Sequence, residues 1–180
     1  VIFLVNQLDS EKCDFNQVLD NLIDIYGTKV VPIQYPLNEG PNFNSLIDVL
    51  LMKKYTWGPE GGAPTIEDIP EEEKEKAMEM HRALVEAAAE NDEELMEKFF
   101  DTMELTDAEM AKGLKIGVRD GSVCPVLCGS AVTGLGVDML MQTILDLVPV
   151  ATDMPAETAQ DDDGNAIEVE SAGVESCRIR

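Results

Sequence analysis

The chain has 180 residues, 44% of them apolar, enough for about one domain with a buried core, which disfavours disordered, collagen-like and mini-protein classes. Thirteen Lys and Arg against 36 Asp and Glu give a formal charge of -23, and an acidic surface repels a phosphate backbone, so DNA is not an expected partner. No apolar run reaches the ~18 residues of a membrane helix, so no membrane partner is expected either. The four cysteines, without scaffold density or a C-x-x-C pair, read as reduced thiols of a cytoplasmic protein.

Val1 to Val5 is a continuous apolar run without an initiating Met or a basic leader, which reads as a strand covered on both faces within a longer protein. Asp14 is placed to cap a helix whose apolar stripe is Phe15, Val18, Leu19, Leu22 and Ile25, with Gly27 ending it. From Lys29 to Trp57 the texture is β: Val30 to Tyr35, with prolines that argue for an edge strand, then a turn region and Leu46 to Leu51. Beyond the Gly-rich loop at 58–64, Pro70 suits the first turn of a long helix reaching about Glu90. Asn91-x-x-Glu94 and Thr106-x-x-Glu109 read as capping boxes opening two more. Val123 to Cys128 returns to a buried strand. A small-residue loop follows, Gly129-Ser130-Ala131, and then a helix with Val137, Leu140, Met141, Ile144, Leu145 and Val148 inward, stopped by Pro149. The tail from Ala151 reads as a polar loop.

The acidity is local. Residues 67–109 hold seventeen acidic and four basic side chains, whereas 110–150 are balanced, which points to an inserted acidic subdomain. On its long helix Glu72, Glu75, Glu79, Glu86 and Glu90 share one stripe, either a solvated face or a docking surface for a basic partner. His81 and the methionines read as boundary and core residues, and no metal-ligand set or catalytic residue stands out.

Two strand ends carry chemistry. An Asp in Asn6-Gln7-Leu8-Asp9, just past a strand, can accept both N–H donors of a guanine edge, and adenine would leave its oxygens buried and unpaired. Asn6 can donate to the base or tie neighbouring loops together. Gly129-Ser130-Ala131 presents backbone N–H groups where a base carbonyl could be held. The same tetrapeptide also serves as an Asx turn and helix cap.

Asn6-Gln7-Leu8-Asp9 resembles the N-K-x-D element, and Ser130-Ala131 the S-A element, of translational GTPases, specifically bacterial elongation factor G. Pro32-x-Gln34-x-Pro36, Phe43, Asp48, Lys53, Leu84 to Ala87, Asp92 to Met96, Pro125 to Ala131 and Gly136-Val137 are similar to further signatures of that family, in order along most of the chain. The resemblance implies an α/β fold, a partial P-loop-type G domain of parallel strands and flanking helices carrying an inserted α+β subdomain. It divides the chain into 1–28, with the N-K-x-D-like loop; 29–121, the insertion; 122–150, with the S-A loop; and 151–180, an acidic linker. It implies that Asn6, Gln7, Asp9, Ser130 and Ala131 bind the guanine of GTP or GDP. Gln7 departs from the usual Lys, whose stem lies along the base.

No G-x-x-x-x-G-K-[ST] loop and neither switch region of the family occurs. Phosphate and magnesium would thus be held only by the full-length parent, a ribosomal GTPase acting in translocation, and these 180 residues alone are expected to be inactive. The resemblance also implies that Glu72, Glu75, Glu79 and Glu86 meet a ribosomal stalk protein. A ribosome-binding paralogue with little GTP turnover, and a pure interaction module, are the alternatives.

Overall fold

The computed structural model describes residues 1–59, 61–150, 153, 157–160 and 166–169. Residues Val1–Leu147 form one compact unit, and those from Val148 onward a second.

In the first unit, β1 (Phe3–Val5), β7 (Cys124–Cys128) and β2 (Val30–Pro32) make a parallel sheet in the order β1-β7-β2. Two parallel strands were expected from the sequence; Val30–Pro32, read as the start of the insertion, is the third. The central position of β7 explains its composition, since all five of its residues are buried and both of its edges are paired. At the sheet's edge β1 behaves differently: only Val5 of the strand is buried, because its second edge has no strand beside it among the described residues.

A four-stranded antiparallel sheet follows, β3 (Gln34–Pro36), β4 (Ser45–Asp48), β5 (Lys53–Thr56) and β6 (Thr65–Asp68), in sequential order. The two sheets are joined through one residue. Ile33 donates its N–H to Val126 O at 3.0 Å in the parallel sheet, and its carbonyl accepts from Val49 N at 2.9 Å beyond β4. The strand read as Leu46 to Leu51 stops at Asp48, whose Oδ1 accepts from Leu51 N at 2.8 Å and closes a turn in which Met52 takes a φ of 52°. Asp48 is buried, and that burial pushes its carboxyl up to about 6 against the hydrogen bonds it accepts.

Helix α2 (Glu71–Ala89) buries Ala77, Leu84, Val85, Ala88 and Ala89 and leaves its glutamates other than Glu73 exposed. It is fastened to β3 by Tyr35, which donates its hydroxyl to Glu73 at 3.0 Å and carries the Lys76 ammonium 4.2 Å from its ring centre. Helix α3 (Glu93–Thr102) is capped by Asp92, which accepts from Glu94 N and Leu95 N. The expected cap, Asn91, donates instead to Ala87 O at 2.6 Å, so the helix begins one residue later than the capping-box pattern implies. Helix α4 (Asp107–Asp120) has the expected box, with Thr106 and Glu109 bonded reciprocally. It packs on α2, β7 and α5 (Val137–Leu147), so helices of the acidic segment help cover the parallel sheet.

Helix α1 (Phe15–Tyr26), capped by Asp14 through Gln17 N, buries only Phe15, and Ile25 is 71% exposed. In α5 the only buried residue is Leu147, and Leu145 is 74% exposed. The α5 stripe was expected to face inward; in both helices the stripe is only partly buried, with Leu19, Leu22 and Leu140 packed on the core. Within the described residues the small sheet is too narrow to cover either stripe completely.

In the second unit, β8 (Glu157–Gln160) and β9 (Ala166–Val169) pair antiparallel. The tail read as a polar loop thus holds a hairpin, consistent with the β-branched Ile167 and Val169 in its second strand; the Asp-rich stretch 161–165 lies outside the described residues. No described helix is long and apolar enough to cross a membrane.

Candidate functional site

The carboxyl ends of β1 and β7 lie side by side, since Val5 pairs with Cys128. The chain after β1 and the chain after β7 therefore enter the same space, where parallel sheets gather their ligand loops. Backbone bonds knit the two: Leu8 N donates to Gly129 O at 3.3 Å and Gly129 N to Val5 O at 3.1 Å. The loop after β7 folds back on its own strand so closely that a Cβ at Gly129 would meet Leu135 O at 2.7 Å, and one at Gly136 would meet Cys128 O at 2.7 Å. Only glycine permits that approach.

Asn6 and Ala131 are joined directly, the Asn6 Oδ1 accepting from Ala131 N at 2.9 Å. Gln7 is exposed and takes a left-handed φ of 64°, a conformation rare for a residue with a side chain and common where a loop is held for a purpose. Leu8 is fully buried and pins the loop to the core. Asp9 follows with its Oδ1 enclosed and accepting no hydrogen bond, a costly arrangement for a carboxylate oxygen unless a donor arrives from outside.

Ser130 is buried; its Oγ accepts from Thr133 N at 3.2 Å and its N–H is taken by Leu135 O at 2.9 Å. Thus the N–H groups of Gly129, Ser130 and Ala131 all have protein acceptors. Holding a base carbonyl here requires one of them to change partner, and Ala131, the exposed member, is the most accessible.

The acidic stripe lies on another element. Glu72, Glu75, Glu79 and Glu86 lie on α2 away from its buried face. His81 Nδ1 donates to Val49 O, 2.8 Å away, a boundary histidine with its partner inside the fold. Sequence reasoning missed that the loop between β3 and β4 reaches the Asn6 to Asp9 loop, through Gly40 N and Leu8 O, 2.8 Å apart; Phe43 in that loop carries no sign of the contact.

The architecture defines an α/β protein with loops converging at the ends of adjacent parallel strands and a separate antiparallel sheet inserted between those strands. No protein-family model matches the chain. Over 168 residues, 92% of the chain, it is 38% identical to elongation factor G of Rhodopseudomonas palustris (strain BisB18), of which it spans 24%. A crystal structure from Thermus thermophilus is 25% identical and superposes with a TM-score of 0.75 over 94% of this chain and 32% of that one. The chain is an elongation factor G-like stretch, spanning about a quarter of the length of that curated relative.

Proposed function

We propose that this stretch supplies the guanine-recognition half of the GTP site of a translational GTPase, in the service of GTP-dependent ribosomal translocation in the cytoplasm. Asp9 accepts the two ring-edge donors of guanine, Asn6 braces the loops, Gln7 flanks the base, and Ser130 with Ala131 closes the pocket. GTP or GDP is the nucleotide. Phosphate and magnesium are held by residues that these 180 do not include, so the chain alone turns over no GTP.

The observation that carries the reading is the enclosed, unpartnered Asp9 Oδ1 beside a loop tied to Ala131. Its test is an NMR titration of the chain with GDP and ADP. GDP is expected to shift the amides of Asp9 and Ala131 at millimolar concentration and ADP to leave them unmoved. Equal responses to both would overturn guanine selectivity, and submicromolar GDP affinity would overturn the division of the site.

A second reading concerns the partner. The stripe Glu72, Glu75, Glu79 and Glu86, away from the buried face, supports docking of α2 on a basic surface of a ribosomal stalk protein. Reversing the charge of Glu75 and Glu79 is expected to slow that association at low salt and to matter less at high salt; an unchanged rate leaves a solvated helix face. The strained, neutral Gln7 supports a further reading, a ribosome-binding paralogue with little turnover. Ribosome-stimulated phosphate release by the full-length parent separates the two.

A further inference from the structure

We infer that Glu39, in the loop between β3 and β4, is a positioning residue for the guanine-reading loop, so that the inserted sheet sets the aim of Asp9; this rests on the guanine reading above.

Leu8 is the residue before Asp9. Its side chain is buried, its N–H is held by Gly129 O, and its carbonyl accepts from Gly40 N at 2.8 Å and faces Cys13 Sγ at 3.4 Å. Leu8 is therefore gripped from the β7 side and from the insertion at once, and Asp9 is aimed by those grips.

Glu39 supplies the second half of the grip. One of its oxygens accepts from Phe15 N at 2.9 Å, and the other faces Cys13 Sγ at 3.6 Å. Phe15 opens α1, and its N–H is an orphan donor that Asp14 leaves free, since Asp14 caps Gln17 N. A carboxylate there also suits the positive end of the helix. Glu39 thus caps a helix from 24 residues away, fixing the far end of the loop that Asp9 belongs to.

The loop bearing Glu39 is itself stiff. Asn38 Oδ1 accepts from Ser45 N at 3.2 Å and Ser45 Oγ at 3.0 Å, and Phe43 N donates to Gly40 O at 2.8 Å. Gly40 has a φ of 83°, which aims its N–H at Leu8 without strain. A rigid loop holding both ends of residues 8–15 fixes the reader; it does not merely cover it.

The test compares the wild-type chain with Glu39→Ala and Glu39→Gln. Affinities for GDP and for inosine diphosphate, which lacks the amino group that Asp9 reads, are taken by NMR, with amide hydrogen exchange at Leu8, Asp9 and Phe15. Glu39→Ala is expected to weaken GDP binding about threefold to tenfold, as a lost helix cap does. It should also bring the GDP-to-inosine-diphosphate ratio toward one and speed exchange at those amides. Glu39→Gln keeps an oxygen acceptor for Phe15 N and should restore both ratio and exchange. If Glu39→Ala does not fold, Glu39→Asp, too short to reach, replaces it with the same expectation. Unchanged exchange and an unchanged ratio overturn the proposal. A wild-type chain indifferent to GDP overturns the guanine reading instead, while exchange at Leu8 still reports whether Glu39 holds the loop.

Discussion

Asn6 and Ala131 are separated by 125 residues in the chain and joined by a 2.9 Å hydrogen bond, side-chain oxygen to backbone N–H. Everything inserted between β1 and β7 is bracketed by that contact. Asn6→Ala should free the Ala131 N–H and cost on the order of 1 kcal/mol in stability, read by urea unfolding. Its larger effect should be on exchange at Ala131, which is expected to rise while exchange in the middle of β7 stays unchanged.

Gln7→Lys tests the neighbouring position. An ammonium on a longer stem restores charge beside the nucleotide, so GDP affinity should rise severalfold at low salt and the gain should shrink as salt is added. A gain that ignores salt would point to packing of the stem alone. Titration at two ionic strengths decides between them.

Asp48 gives the chain a pH dependence. Its carboxyl is raised to about 6 by burial, so the folded state holds this proton more tightly than the unfolded chain. Stability then falls as pH rises from roughly 4 to about 6, with the full cost, on the order of 2–3 kcal/mol, present at neutral pH. Asp48→Asn keeps the acceptor for Leu51 N and can donate to Gln34 Oε1, which is buried and unpartnered. The variant should be more stable than wild type at pH 8 and equal to it at pH 4, by thermal or urea unfolding.

Gly113→Ala tests how α4 meets α2. A Cβ at Gly113 would sit 2.3 Å from Ala88 O, a backbone atom that cannot turn aside. The helices must separate, at about 1–3 kcal/mol. An unfolding midpoint equal to that of wild type would mean that the helices pack more loosely than described.

Much of the architecture was legible in local signals: apolar runs at β1 and β7, Asp14 and Thr106 as caps, Ser130-Ala131 as a tight loop. The misses share a cause, since each depends on a partner remote in sequence. Strand β6 has four exposed residues and no hydrophobic alternation; it is set by pairing with β5, including Lys53–Asp68 at 2.7 Å and Lys54–Glu67 at 3.0 Å. Asn91 carried a cap pattern, yet its Oδ1 accepts from Ser122, 31 residues further on, while its amide donates to Ala87 O. The stripes of α1 and α5 were read correctly as apolar but are only partly covered, Leu19, Leu22 and Leu140 packing on the core while Ile25 and Leu145 stay exposed, because periodicity reports which face is apolar and not how much of it is covered. At the candidate site, Asn6 and Asp9 stood out by type and spacing, whereas Glu39 did not, since a carboxylate in a polar loop carries no local mark of the helix it caps.

Ile33 belongs to two sheets at once, its N–H to one and its carbonyl to the other. A joint of that kind has no slack: there is no linker in which a rotation of the antiparallel sheet could be absorbed before it reaches β7. Rotation of that sheet would be carried through the Ile33 peptide to the strand that leads into Ser130, and slow exchange of the Ile33 and Val49 amides together would be its signature.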